Sequence, residues 1–139
     1  MDGFSIVMTA CADGEKARPI IDALLEGRLA ACIQALPVQS HYIWDGAVQH
    51  EGEVLLLIKC AAEKYDAIEE TILRLHDYEL PEIVQVPIAG GLDRYLDWIA
   101  GPRQKADAEG AGEKADAEGA GEKADAEATG EKADAEAPA

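Results

Sequence analysis

The chain has 139 residues, with 12 Lys and Arg against 28 Asp and Glu and a formal net charge of −16. Attraction to the phosphate backbone is the main term in nucleic-acid affinity, and with no basic cluster to offset the charge it would here be repulsion, which argues against a nucleic-acid partner. Cys11, Cys32 and Cys60 are odd in number and lack CxxC spacing, which argues against a disulfide framework and a structural zinc site.

Phe4 to Ala10 alternates, with Phe4, Ile6, Met8 and Ala10 on one side and Ser5, Val7 and Thr9 on the other, and is predicted as a strand. Asp13 or Gly14 opens a helix with an apolar stripe at Ala17, Ile20, Ile21, Leu24 and Leu25, and Gly27 is a C-terminal stop. Pro19 lacks an N–H and crowds the carbonyl four residues back, so the helix is expected to start late, near Arg18, or to bend. Leu29 to Val38 is apolar with small residues and runs on through Pro37, which should break or bulge this strand and favours a sheet edge.

Tyr42 to Lys59 reads as a strand, a tight turn at Asp45-Gly46 and a returning strand, because both central residues of such a turn need positive φ. Glu51-Gly52-Glu53 is expected to start the returning strand with a bulge at the glycine. Val54 to Ile58 is apolar at every position, which implies cover on both faces. Helices in a small domain cover one face, and a second copy of the chain is the simplest cover for the other.

A second helix is predicted from about Glu63 to Leu75, with Tyr65, Ile68, Ile72 and Leu75 inward. The loop His76 to Glu82 follows, then a strand at Ile83 to Ile88, then Gly90-Gly91 and a short helix with Leu92, Tyr95, Leu96 and Ile99 on its inner side. The order β-α-β-β-α-β with an additional C-terminal helix predicts an α+β, ferredoxin-like sandwich.

Residues 1–102 form one predicted domain and residues 103–139 an acidic, low-complexity tail with a nine-residue repeat beginning at Lys105. The repeat, from Lys105 on, carries four Lys against four Asp and seven Glu, so −7 of the charge belongs to the repeat and −9 to residues 1–104. The tail has no apolar residue larger than Ala to offset the entropy of ordering, and it is expected to be disordered and solvated. No basic leader and no run of membrane-span length are seen, so the expected setting is cytoplasmic, with no membrane partner.

Chemistry has few candidates. Ser5 and Ser40 lack the glycines of a nucleophile elbow, and Cys32 sits in an apolar strand without an electropositive neighbour, so no nucleophile is recognisable. Histidines stand at 41, 50 and 76. His76 ends the second helix, where the negative end of the dipole favours an imidazole; its functional reading is as a metal contact beside Tyr78, Glu79 and Glu82. Tyr42 and Trp44 are packing residues of the hairpin, with Trp44 placed where a subunit boundary could use its flat face.

Leu29-Ala30-Ala31-Cys32, Tyr42-x-Trp44-x-Gly46, Glu53-Val54 with Lys59, His76-x-Tyr78-x-x-Pro81-Glu82 and Tyr95-Leu96-x-Trp98 together resemble the CutA divalent-cation-tolerance proteins. The resemblance covers residues 4 to about 100, with several motifs in the right order and spacing. It implies a ferredoxin-like subunit in a tight homotrimer of PII-like architecture, associated with tolerance to copper and other divalent metals and with no established reaction. Asp77 and Ile43 depart from the family pattern. In the copper-binding enterobacterial member, a cysteine on the first strand and two consecutive histidines at the loop supply the metal contacts. Those positions hold Thr9, Leu75 and His76, so only His76 is retained, while Cys11 points to the same face as Thr9.

The expectation is a non-enzymatic homotrimer that responds to divalent metals, with a cleft between subunits lined by Cys32, Trp44, Lys59, Tyr78 and Glu82 and with His76 as a metal contact. No cofactor is required; a divalent metal such as copper is the candidate ligand. The alternatives are a PII-like sensor of a small molecule or nucleotide, and a small-substrate enzyme in the same cleft.

Overall fold

The computed structural model describes residues 3–101; the predicted tail, 103–139, lies outside the described residues. In order the elements are β1 (Phe4–Cys11), α1 (Gly14–Glu26), β2 (Cys32–Trp44), β3 (Ala47–Ala61), a single 3-10 turn (Ala62–Lys64), α2 (Tyr65–Leu75), β4 (Val84–Ile88) and α3 (Asp93–Ala100). The four strands form one sheet in the order β2-β3-β1-β4, with each neighbouring pair antiparallel. This is the predicted ferredoxin-like α+β fold with its extra C-terminal helix.

Local chemistry accounts for the boundaries. The Asp13 side chain accepts the Lys16 N–H at 2.8 Å and starts α1 at Gly14, so the late start expected from Pro19 does not occur. Pro19 lies inside the helix on its exposed side, where the Glu15 carbonyl that loses a partner can bond water. Gly27 does cap the helix, yet at φ −82° it does not supply the left-handed residue; Arg28 does, at φ 57°. Gly27 is required for space instead, since a Cβ there would lie 3.0 Å from the Ala23 carbonyl oxygen.

Asp45 and Gly46 both have positive φ, 56° and 80°, as the two-residue turn demands. That turn sets a register running without a slip from Trp44↔Ala47 to Cys32↔Lys59. Pro37 pairs with Val54 and Gln39 with Gly52 inside this unbroken ladder, so the break or bulge expected at Pro37 and the bulge expected at Gly52 are both absent. β2 is an edge strand, as Pro37 favours, and an edge leaves every second N–H outside the ladder, where proline is tolerated.

The core lies between one sheet face and the helices α1 and α2. It joins Val7 and Cys11 of β1, Leu56, Ile58 and Cys60 of β3, Ala17, Ile20 and Leu24 of α1, and Ile68 and Ile72 of α2. Alternation along β1 puts Ser5 and Thr9 on this buried face too. Ser5 Oγ accepts from Gln85 at 2.9 Å, whereas the buried Thr9 hydroxyl has no partner among the described residues.

The other face carries Phe4, Ile6 and Met8 of β1, only half-buried, beside Leu55 and Leu57 of β3. Val84 and Val86 of β4, paired with Met8 and Ile6, remain 44% and 42% exposed. The polar residues of β1 are thus inside and its large apolar ones outside, the reverse of a sheet with one wet face. α3 meets β3 at one end of this outer face. Ile99 is its buried residue, while Leu92, expected on the inner side, precedes the helix and is exposed.

Candidate functional site

The loop after α2 is tied to the sheet by a chain of short hydrogen bonds. α2 ends with the His76 N–H donating to the Ile72 carbonyl at 2.8 Å, after which His76 turns to extended backbone at φ −75°, ψ 142°. Its imidazole is only 1% exposed. Nε2 lies 2.9 Å from the Ala10 carbonyl oxygen, and Nδ1 accepts the Tyr78 N–H at 3.1 Å. A carbonyl can only accept, so this pattern assigns the Nε2–H tautomer and leaves neither ring nitrogen free. His76 is engaged on both sides.

Two residues on, the Tyr78 hydroxyl donates to Glu53 Oε2 at 2.6 Å, and the Ser40 hydroxyl donates to Glu53 Oε1 at 2.6 Å. Two O–H···O contacts this short mark an ionised carboxylate held by both oxygens. Burial, then the hydrogen bond and charge of Glu53, raise the Tyr78 pKa well above the ordinary tyrosine range, so its proton stays in place. The Tyr78 and His76 rings lie 4.8 Å apart between centroids. Loop, hairpin and the end of β1 therefore meet at one point.

Cys11 Sγ lies 3.8 Å from His76 Nε2. Burial, with Asp77, Glu53 and Asp13 adding negative charge, pushes the Cys11 thiol up to about 11, so it is protonated near neutrality. A thiol–imidazole pair of this kind is a latent soft-metal site, because metal binding has to displace the proton. Among the described residues no three His, Cys, Asp or Glu side chains converge on one point suited to a metal ion.

The predicted cleft residues fall at three places within one chain. Cys32 and Lys59 are cross-strand partners, and Lys59 Nζ reaches the Tyr95 hydroxyl at 3.4 Å and sits 5.5 Å from that ring's centroid. Trp98 stacks on Tyr95 at 5.7 Å. Tyr78 lies beside Glu53, six residues from Lys59 along β3 and thus roughly 20 Å away, with exposed Glu82 leading into β4. Trp44, 51% exposed, stands at the hairpin tip, twelve residues or roughly 40 Å along β2 from Cys32.

Sequence reasoning missed Glu53 as the shared partner of Tyr78 and Ser40, and Tyr95 as the seat of Lys59, whereas Cys11, which it offered as a substitute at the first-strand ligand position, does lie beside His76. The Ser40–Glu53 contact was within reach. Once Asp45-Gly46 sets the register, Ser40 faces Glu51 and lies diagonal to Glu53 on the same sheet face. The Tyr78 contact had no such signal, because it depends on how a loop folds back over a strand.

A ferredoxin-like domain with an apolar outer sheet face and a His-x-Tyr loop locked to a long hairpin defines a narrow class. The profile of the family described as CutA1 divalent ion tolerance protein matches residues 5–101. The chain is 42% identical over 95 residues to the divalent-cation tolerance protein CutA of Thermus thermophilus, across 68% of this chain and 92% of that one. It is 33% identical to the chloroplastic protein CutA of Arabidopsis thaliana, again over 68% of this chain but only 52% of the plant protein, about half its length. The crystal structure of CutA1 from Oryza sativa superposes with a TM-score of 0.69 at 32% identity, covering 75% of this chain and 97% of that one. The chain belongs to the CutA divalent-ion tolerance family.

Proposed function

We propose that the chain is a non-enzymatic homotrimer that takes part in the cell's response to divalent metal ions such as copper, with the clefts between subunits as its working surface. The observation that carries the assembly is the outer sheet face. Ile6, Met8, Leu55, Leu57, Val84 and Val86 stand on alternate positions of three adjacent strands with no helix over most of them. A contiguous apolar face of this kind marks an interface. The number three is what the family resemblance implies. Assembly would also bring Trp44, Cys32-Lys59 and the Tyr78–Glu82 loop of different copies together, which a single chain leaves apart. The working unit in this reading is residues 1–102. The three free cysteines fit a reducing, cytoplasmic setting.

The relatives' names support the metal role, and the His76–Cys11 contact supplies its residues. A metal at Nε2 has to replace the bond to Ala10 and take the proton of a thiol raised to about 11, so affinity there is low. Calorimetric titration of Cu2+ and Zn2+ into the full chain and into His76→Ala tests the assignment. The expected result is a low-affinity component lost in the variant; identical heats in both proteins would falsify coordination at His76.

The second reading, a PII-like sensor of a small anionic molecule, is supported by the Lys59–Tyr95–Trp98 corner, where a cation lies over stacked rings. A nucleotide or metabolite that raises the melting point of the chain but not of Lys59→Ala would favour it.

A further inference from the structure

The hairpin carries two histidines that the site above does not use. His41 of β2 and His50 of β3 are direct cross-strand partners, three residues outward from Pro37↔Val54 pairing's neighbour Val38↔Glu53. Both side chains are exposed, their Nδ1 atoms are 2.7 Å apart, and the rings meet edge-on at 4.9 Å with an interplanar angle of 75°. Strand alternation places them on the face of Ile33 and Ile58, opposite to the apolar outer face, beyond the part that the helices cover.

Two imidazole nitrogens at this separation cannot both aim lone pairs at each other; a proton or another cation has to lie between them. We infer that the His41–His50 pair is a two-histidine chelate for a divalent transition metal that prefers tetragonal geometry, Cu2+ or Ni2+. In the metal-free pair the two nitrogens face each other as in an N–H···N hydrogen bond. Both exposed rings therefore turn about their Cβ–Cγ bonds to converge on a metal, and the separation that the backbone register sets then decides the geometry. With metal–nitrogen bonds of about 2.0–2.1 Å, an N···N separation of 2.7 Å gives an N–M–N angle of roughly 80°. Opening the pair by about 0.2 Å reaches a right angle, whereas a tetrahedral ion needs about 3.3 Å. Imidazole suits copper and nickel, and tetragonal N,O coordination is their preferred arrangement. Water completes the sphere, since no third His, Cys, Asp or Glu converges with the pair among the described residues.

The pair is also preorganised. Asp45 and Gly46 lock the two-residue turn only four residues from each histidine, so the chelate needs no backbone movement. The surrounding charge of residues 1–104, −9, raises the local concentration of cations. This site is separate from His76–Cys11 and does not depend on the inter-subunit cleft.

The test uses the full chain carrying His76→Ala, so that failure of the His76 assignment does not touch it. Cu2+ is titrated calorimetrically, and nitrogen couplings are counted by electron paramagnetic resonance. The expected result is one Cu2+ per chain with two coupled nitrogens. Adding His41→Asn or His50→Asn should then lower affinity about tenfold or more, because chelation is lost, and leave one coupled nitrogen. Equal affinity and an unchanged nitrogen pattern in those variants would overturn the inference. A second measurement needs no substitution: Cu2+ should protect His41 and His50 of the unaltered chain from acylation, read by peptide mass, and labelling unaffected by Cu2+ would overturn it equally.

Discussion

Replacing Tyr78 by Phe removes one oxygen and keeps the ring that lies against His76, so it isolates the hydroxyl that ties the loop to β3. That hydroxyl makes a 2.6 Å bond to a carboxylate which Ser40 already holds from its other side. Hydrogen bonds to charged groups contribute about 1.5–3 kcal/mol. Tyr78 and Glu53 are both half-buried, so water can partly replace the lost donor, which places the cost near the lower end, about 1.5–2 kcal/mol. For a folding unit of about 100 residues this corresponds to a fall in Tm of roughly 6–12 °C, and the figure holds in a trimer because cost and size both scale with the number of subunits. Thermal unfolding followed by circular dichroism reads it. The double-mutant cycle with Glu53→Gln checks the cause: Tyr78→Phe should cost at least about 1 kcal/mol less when the carboxylate is gone. A loss that is the same in both backgrounds would refute the pairing as the link between loop and hairpin.

Three further outcomes follow from local geometry. Thr9→Val removes a buried hydroxyl that has no partner among the described residues while preserving shape, and should raise stability by about 1 kcal/mol in chemical denaturation; a loss of stability would show that the hydroxyl is satisfied. Arg28→Gly relieves a left-handed residue at φ 57° and should stabilise by roughly 0.5–1 kcal/mol; a lower Tm would contradict that account of the end of α1. Burial raises the Cys60 thiol to about 11, as it does Cys11, and Tyr78 is raised in the same sense. Folded pKa values above the unfolded ones mean that this stability is fully present below about pH 8.5 and is lost as pH rises through about 11. Urea midpoints should therefore fall across that window, and Cys11→Ala/Cys60→Ala should fall less steeply; flat or rising midpoints would refute it.

Much of the fold was legible because its signals are local. Asp45-Gly46 announces a turn that only positive φ can make, and the turn then sets the register of thirteen residue pairs. The uninterrupted apolar run Val54–Ile58 announces a strand that is apolar on both faces, and Leu55 and Leu57 do stand on the face away from the helices, half-buried in the single chain. Pro37 and Gly52 misled, because a strong hairpin register overrides the preference of a single residue. Gly27 was read correctly as a helix end, and the structure adds the reason: a side chain there would crowd the Ala23 carbonyl. The site was legible only in outline. His76 and Tyr78 stood out by motif, but their partners, the Ala10 carbonyl and Glu53, are 66 and 25 residues away in sequence, and no periodicity predicts such contacts.

The assembly expectation depends on the outer sheet face, where β1 turns Ile6 and Met8 away from the helices and Ser5 and Thr9 toward them. An isolated domain of about 100 residues has little stability to spare for leaving such a face in water. Sedimentation equilibrium of the full chain tests this most directly. A single species of about 44 kDa, three times the 14.8 kDa chain, is the expected result. A species of one chain's mass at micromolar concentration would contradict it.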